Sequence, residues 1–371
     1  MSNLKFLMPT KITVGENCVK NNFSDLILGK RCMIVTGKTS GKKSGALDDV
    51  TDVLRTNGIE YLVYDRIGNN PTIEETAEGG AAARAFGCDF LIGIGGGSPL
   101  DACKAIAVYA TNIPSENGDF KLYDIYKGVY KNKPLPMAAI PTTAGTGSET
   151  TPYSILTLHK EKTKKSFSCP DVFYRVAFLD GRYTVNLPLQ IARNTAIDAL
   201  SHLLEGYTNK KASPLTDYIA LEGMRILGKH ADILRNGNFT VDICTELLWA
   251  ACIGGIVISQ TGTTIVHSMG YGLTYYRDIP HGMANGFLLG EYLERVRSVA
   301  PHRISECEAA MGMSLDKFKI FLSDCLPYNG AFSKDEITEW AKTSIKARNV
   351  ASCPFDVDYD TELEIYENCL L

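Results

Sequence analysis

Asp198 and His202 stand four residues apart in Asp198-Ala-Leu-Ser-His202, and His267 and His281 bracket a short stretch further along, so three of the six histidines fall in one candidate set. A carboxylate with three imidazoles offers oxygen and nitrogen donors suited to a divalent ion of intermediate softness, Fe(II) or Zn(II), with no thiolate to force a closed structural site. On a helix the i, i+4 spacing sets Asp198 and His202 on one face, one turn apart. Their neighbours Ala196, Ile197, Ala199, Leu200, Leu203 and Leu204 are apolar. His281 sits in Ile279-Pro-His-Gly-Met-Ala-Asn285, where a turn runs into a helix start. Each element alone has a plainer reading, an internal Asp/His hydrogen bond or a satisfied core histidine. Together they imply a metal with an open position that would polarise an alcohol or carbonyl oxygen. His159, His230 and His302 lie in polar sequence and receive no role.

A second kind of chemistry is written into two loops. The strand-like run Phe90 to Ile94 enters Gly95-Gly96-Gly97-Ser98 and then a helix, Pro99 to Ala107. Glycines let the backbone approach an anion, and free amides at a helix start point toward it. Ser98 is the expected N-cap, Pro99 the first helical residue and Asp101 the acid of a capping box. Pro141-Thr142-Thr143-Ala-Gly-Thr-Gly-Ser-Glu149 follows another strand and presents hydroxyls and flexible backbone. A glycine run alone is equally a tight turn without ligand, and it is not the Gly-x-Gly-x-x-Gly fingerprint. Two such loops at strand ends favour a dinucleotide site. The first strand ends Thr36-Gly37-Lys38-Thr-Ser40-Gly-Lys-Lys43, with hydroxyls and three lysines but no acid for a ribose diol. That tolerates a 2′-phosphate and points to NADP(H) over NAD(H), the alternative being a solvated basic loop.

These residues need elements to hold them. At 371 residues the chain exceeds one usual core, so two domains are expected. A net charge of −4 argues against a broad nucleic-acid or anionic-membrane surface. The start of the chain lacks a leader-like apolar core, and no later stretch reads as long enough to span a membrane; a soluble cytoplasmic protein is expected. Eleven scattered cysteines without a Cys-x-x-Cys pair suggest neither a disulfide framework nor a thiolate zinc knuckle. Cys88, Cys103, Cys244 and Cys252, in apolar or Ala-rich stretches, read as small buried hydrophobes.

Arg31 to Thr36, Tyr61 to Tyr64, Phe90 to Ile94 and Met137 to Ile140 read as buried strands, with helical spacing over Ala46 to Asn57 and Ile73 to Phe86. That alternation predicts βαβ units and a Rossmann-like parallel sheet over residues 1–180. After Asp180 the texture turns helical, clearest over Leu189 to Tyr207, Thr216 to Leu227, Val241 to Ser259 and Leu315 to Cys325, which predicts an all-helical domain over 181–371.

Gly95-Gly-Gly-Ser-Pro-Leu-Asp101, Pro141 to Glu149, Asp198 to His202, and Val266-His267 through Pro280-His281-Gly282, in this order, resemble the iron-containing, group III alcohol dehydrogenases. The similarity runs from Lys11-Ile-Thr-Val-Gly15 to the C-terminal helices. It implies a dehydroquinate synthase-like architecture and a homodimer. It also implies Fe(II) held by Asp198, His202, His267 and His281, and cofactor contacts from Gly96, Gly97, Ser98, Thr142, Thr143, Thr151 and Lys164. Position 37 is where NAD-preferring members hold Asp, and Gly37 agrees with the argument for NADP. Many members carry a histidine four residues after the third ligand; Tyr271 stands there instead, which leaves it as a hydrogen-bond donor, a pocket wall or neither, and as a candidate proton relay only if its pKa is lowered.

The expected reaction is hydride transfer between small primary alcohols or diols and aldehydes. A dehydroquinate synthase-like lyase is the first rival, but it needs a basic pocket, and residues 195–207 and 262–286 hold only Arg277 as a strong cation. A non-catalytic nucleotide-binding protein is the second, because fold alone does not guarantee activity.

Overall fold

The computed structural model describes residues 5–116, 118–161 and 163–371; the first four residues of the stretch read for a leader lie outside them. The chain forms two compact units. One comprises Met8–Asn186 with Thr240–Leu248, the other Leu187–Phe239 and Trp249–Leu371 with residues 5–7.

The first unit is α/β. Its strands are β1 (Lys11–Val14), β2 (Arg31–Gly37), β3 (Glu60–Ile67), β4 (Phe90–Gly95), β5 (Met137–Pro141), the hairpin β6 (Tyr153–Leu158) and β7 (Thr163–Ser168), and β8 (Val176–Leu179). Six of them make one sheet in the order β1-β8-β5-β4-β2-β3, with every pairing parallel. Side chains alternate between faces along each strand. Cys32 and Ile34 of β2 join Phe90, Ile92 and Ile94 of β4 in one buried cluster, with Ala46, Val50 and Leu54 of helix α1 (Ala46–Thr56). Met33, Val35 and Leu91 belong to the other cluster, with residues of α2 (Ile73–Phe86) and α3 (Gly97–Thr111). A sheet covered on both faces explains why its central strands read as continuous apolar runs. Each fully buried aliphatic side chain contributes about 1.5–3 kcal/mol.

Helix α2 starts where Thr72 and Glu75 close a capping box, and stops at Gly87, whose φ of 73° is left-handed. The start of α3 corrects the sequence expectation. Gly96 is its N-cap and Gly97 its first residue, so Ser98 and Asp101 do not cap it. β1, the hairpin and β8 were not expected as strands. β7 is Thr-Lys-Lys-Ser-Phe-Ser, in which only Phe167 is buried, so it shows no apolar run.

Among the described residues no strand follows Leu179. The later helices are α4 (Leu189–Thr208), α5 (Pro214–Lys229), α6 (Val241–Thr261), α7 (Ile265–Arg277), α8 (His281–Val299), α9 (Pro301–Met311), α10 (Leu315–Cys325), α11 (Lys334–Ser344) and α12 (Tyr359–Leu370), with a short helix at Ala231–Asn236. From Ala196 to Thr208 every residue of α4 is buried, so it is a core helix rather than an amphipathic surface one. α5 starts at Pro214 behind the Ser213 cap. α7 ends at Asp278, in the left-handed region at φ 54°, and Ile279-Pro280 turn the chain into α8, whose first residue is His281.

One expectation about membranes needs correction. α6 is long and apolar enough to cross one, at a mean hydropathy of 1.8, yet 67% of that window is buried inside the protein, as in a core helix. All eleven cysteines are free; Cys103, Cys244 and Cys252 are buried and Cys88 is half-buried. His230, read as polar surroundings, is also buried.

Candidate functional site

In the helical unit, α4, α7 and α8 bring the candidate ligands together. Asp198, His267 and His281 each offer a ligand atom, and these atoms lie within 4.8 Å of one another. His267 Nε2 is 3.9 Å and His281 Nε2 3.8 Å from Asp198 Oδ1. His202 joins them by its ring, which stacks on His267 with centroids 4.7 Å apart. Tyr271, one turn beyond His267 on α7, lays its ring on His281 at 5.7 Å and 19°.

Close helix packing makes this convergence possible. A β-carbon on Gly282, the second residue of α8, would stand 1.8 Å from the Asn194 carbonyl oxygen and 3.0 Å from Asp198 Cβ. Glycine there lets the start of α8, and with it His281, sit directly on α4.

The donor set fits a cation. The Asn285 amide nitrogen lies 3.1 Å from Asp198 Oδ1 and 3.3 Å from both His267 Nε2 and His281 Nε2. A carboxylate oxygen and two ring nitrogens thus crowd one neutral amide that has only two hydrogens, while Asn285 Oδ1 is buried without a hydrogen-bond partner among the described residues. A carboxylate and imidazoles turned toward one point are the ligand types of an Fe(II) or Zn(II) site. Burial pushes the Asp198 carboxyl up, but the fields of His202, His281 and His267 outweigh it and hold the group below the usual range.

Behind His267 stands Glu205, which sequence reasoning missed. Its Oε2 is hydrogen-bonded to His267 Nδ1, and its Oε1 accepts from Thr264 N at 2.8 Å and Thr264 Oγ1 at 2.6 Å. Burial pushes this carboxyl up, and His267 more than reverses the effect. Burial likewise pushes His267 down, while Glu205 and then Asp198 bring it above its ordinary value. A signal existed: positions 198, 202 and 205 fall on one helix face, and Asn285 follows His281 by four.

In the α/β unit the expected cofactor residues gather at the carboxyl ends of neighbouring strands. Gly37 ends β2 with Lys38 and Ser40 just after it, Gly95 ends β4 with Gly96 to Ser98 opening α3, and Thr142 and Thr143 follow β5. Such strand ends are where open α/β sheets bind ligands. Gly95 adopts φ 146°, and its carbonyl accepts from Thr142 N at 3.0 Å, joining the two loops. Behind Gly95, the amides that open the fifteen-residue α3 suit a diphosphate. Lys164 donates to Asn70 Oδ1 at 2.8 Å, and Asn70 N donates to Ser98 Oγ at 3.2 Å. Asn70, at φ 58°, was not singled out from sequence.

Asp101 and Thr151 face inward instead. Asp101 accepts from Ser148 Oγ at 2.6 Å and from Ile155 N at 2.9 Å. Wholly buried Lys104 donates to Ser148 Oγ at 2.8 Å, Thr151 Oγ1 at 3.1 Å and the Tyr153 carbonyl at 2.6 Å, and lies 3.7 Å from Asp101. This latch ties α3 to the Thr142–Thr151 loop. Burial lowers Lys104 to about 8 and raises neighbouring Glu149 to about 7.

Comparison with known proteins agrees with both halves. Residues 9–181 match the iron-containing alcohol dehydrogenase family, and residues 192–320 match the C-terminal part of the Fe-containing alcohol dehydrogenase family. Lactaldehyde reductase of Escherichia coli strain K12 is 32% identical over 292 residues, 77% of this chain and 74% of that enzyme. 1,3-Propanediol dehydrogenase of Klebsiella pneumoniae is 31% identical over 318 residues, 84% of this chain and 79% of that enzyme. The crystal structure of an iron-containing alcohol dehydrogenase from Thermotoga maritima superposes with a TM-score of 0.90 at 35% identity, covering 99% of each chain. With both family regions matched in order along a chain that carries the carboxylate and imidazole cluster, this protein belongs to the iron-containing alcohol dehydrogenase family.

Proposed function

We propose that the chain is an NADP-preferring, metal-dependent alcohol dehydrogenase that interconverts small primary alcohols or diols with aldehydes, and that Asp198, His202, His267 and His281 hold its metal. The observation that carries this reading is the cluster in which buried Asp198 and His267 and half-buried His281 bring their ligand atoms within 4.8 Å of one another. The names of its relatives, a lactaldehyde reductase and a 1,3-propanediol dehydrogenase, support a small oxygenated substrate.

When bound, the metal supplies Lewis acidity at the substrate oxygen and the nicotinamide supplies the hydride chemistry. The chain's own part is to orient and to handle the proton. Gly95, Gly96, Gly97, Ser98, Thr142, Thr143 and Lys164 receive the dinucleotide, while Asp101 and Thr151 support their loop through Lys104. Gly37, among exposed Lys38, Lys42 and Lys43, suits a 2′-phosphate because nothing acidic stands there. The Tyr271 hydroxyl relays the alcohol proton, accepting it, directly or through water, as it passes its own proton on to solvent; a Tyr271→Phe variant with unchanged rate and pH profile removes that role. A homodimer in the cytoplasm belongs to the same proposal.

The test is oxidation of NADPH and of NADH with butanal by metal-stripped protein reconstituted anaerobically with Fe(II) or Zn(II). Iron-dependent turnover favouring NADPH is expected. Equal use of both cofactors overturns the preference alone, and a tightly bound metal without turnover on a panel of small aldehydes overturns the activity.

A further inference from the structure

We infer that Glu205 is a positioning residue of the proposed metal site: it holds His267 in the tautomer protonated at Nδ1, so that the Nε2 lone pair faces the donor cluster. The inference rests on the metal-site reading and assigns that site a further residue. Glu205 is wholly buried on α4, and both of its oxygens are committed. Oε1 accepts two donors of Thr264, its backbone N–H at 2.8 Å and its hydroxyl at 2.6 Å. Oε2 remains for His267 Nδ1.

A neutral imidazole carries one proton, and the partner of one nitrogen decides which atom holds it. An ionised carboxylate only accepts, so Nδ1 carries the proton and Nε2 keeps its lone pair. That nitrogen faces Asp198 Oδ1 at 3.9 Å and the Asn285 amide nitrogen at 3.3 Å. The Asn285 amide nitrogen, which can only donate, accords with a lone pair rather than a proton on Nε2. Thr264 is also the N-cap of α7, on which His267 is the third residue. Glu205 therefore fixes both the proton on the ring and the helix end that carries it.

Glutamine at this position has the same shape and the wrong donors. The Thr264 N–H can only donate, so the amide oxygen of Glu205→Gln must face Thr264 and its NH2 must face Nδ1. His267 then accepts at Nδ1 and carries its proton on Nε2, where it excludes an ion.

The experiment reads the tautomer and the metal separately. In metal-free wild-type protein, at a pH where the ring is neutral, ¹⁵N chemical shifts of His267 should show the Nδ1–H form, and in Glu205→Gln the Nε2–H form. Zinc affinity measured by chelator competition should fall about 10–100-fold in Glu205→Gln, with no further loss when Glu205→Gln is added to His267→Ala. An Nε2–H ring in wild type, or wild-type zinc affinity in the folded Glu205→Gln variant, overturns the inference alone. Failure of wild type to bind zinc overturns the metal-site reading and the inference with it.

Discussion

Replacing Lys104 by methionine tests whether the buried latch under the cofactor loop stabilises the α/β unit. Methionine keeps most of the volume of the lysine stem and removes the ammonium. Three hydrogen bonds disappear, to Ser148 Oγ, Thr151 Oγ1 and the Tyr153 carbonyl. Asp101 loses a cation 3.7 Å away, and Glu149 loses the charge that partly offsets its burial. Removing one partner of a buried charged group costs about 3–5 kcal/mol. With a urea slope of about 3 kcal/mol per M, the midpoint should fall by about 1–1.7 M. The pH dependence has a definite sign. Without Lys104 the two carboxyls titrate still higher in the folded state, so the variant loses stability as pH rises through those values. The difference from wild type should therefore be larger at pH 7.5 than at pH 5. Urea melts followed by circular dichroism at both pH values, with NADPH fluorescence titration, measure the effect; dinucleotide binding should weaken as the Thr142–Thr151 loop loosens. A midpoint shift corresponding to less than about 1 kcal/mol, or a larger loss at pH 5, refutes the latch.

Two further outcomes follow from the packing of the helical unit. Gly282→Ala places a methyl 1.8 Å from the Asn194 carbonyl oxygen, where ordinary contact begins at 3.4 Å, so the start of α8 must retreat by about 1.6 Å and take His281 with it. Zinc affinity should collapse while helix content by circular dichroism persists, and retained affinity sinks the packing argument. Burial raises Glu362, next to Ser344, to about 7. Its protonated form is favoured by folding, so the stability it contributes is complete below the ordinary carboxyl range and is lost as pH rises toward 7, by about 3 kcal/mol. Glu362→Gln should flatten that fall in Tm between pH 5 and 7, and an unaltered slope refutes the assignment.

Much of the fold was legible because burial on both faces writes itself as uninterrupted apolar runs. β2, β4 and β5 and helices α2 and α10 lie where their patterns put them. The hairpin β6–β7 was invisible since Lys164, Lys165 and Ser166 pair through backbone rather than through an apolar pattern. The capping assignment at α3 failed for a physical reason: Ser98 Oγ accepts from Asn70, and Asp101 is drawn to Ser148 and Ile155. A local signature cannot anticipate partners 28, 47 and 54 residues away.

Residue type and spacing were enough to nominate Asp198, His202, His267 and His281, because coordination chemistry restricts the donors and a helix restricts their face. Only the tertiary structure decided which atoms of Asp198, His267 and His281 converge, since that depends on how closely α8 can approach α4 at Gly282. It also decided that Glu205 and Asn285 stand behind and among them. Their roles are set by hydrogen-bond directions between three helices, and direction in space is the quantity a one-dimensional pattern does not carry.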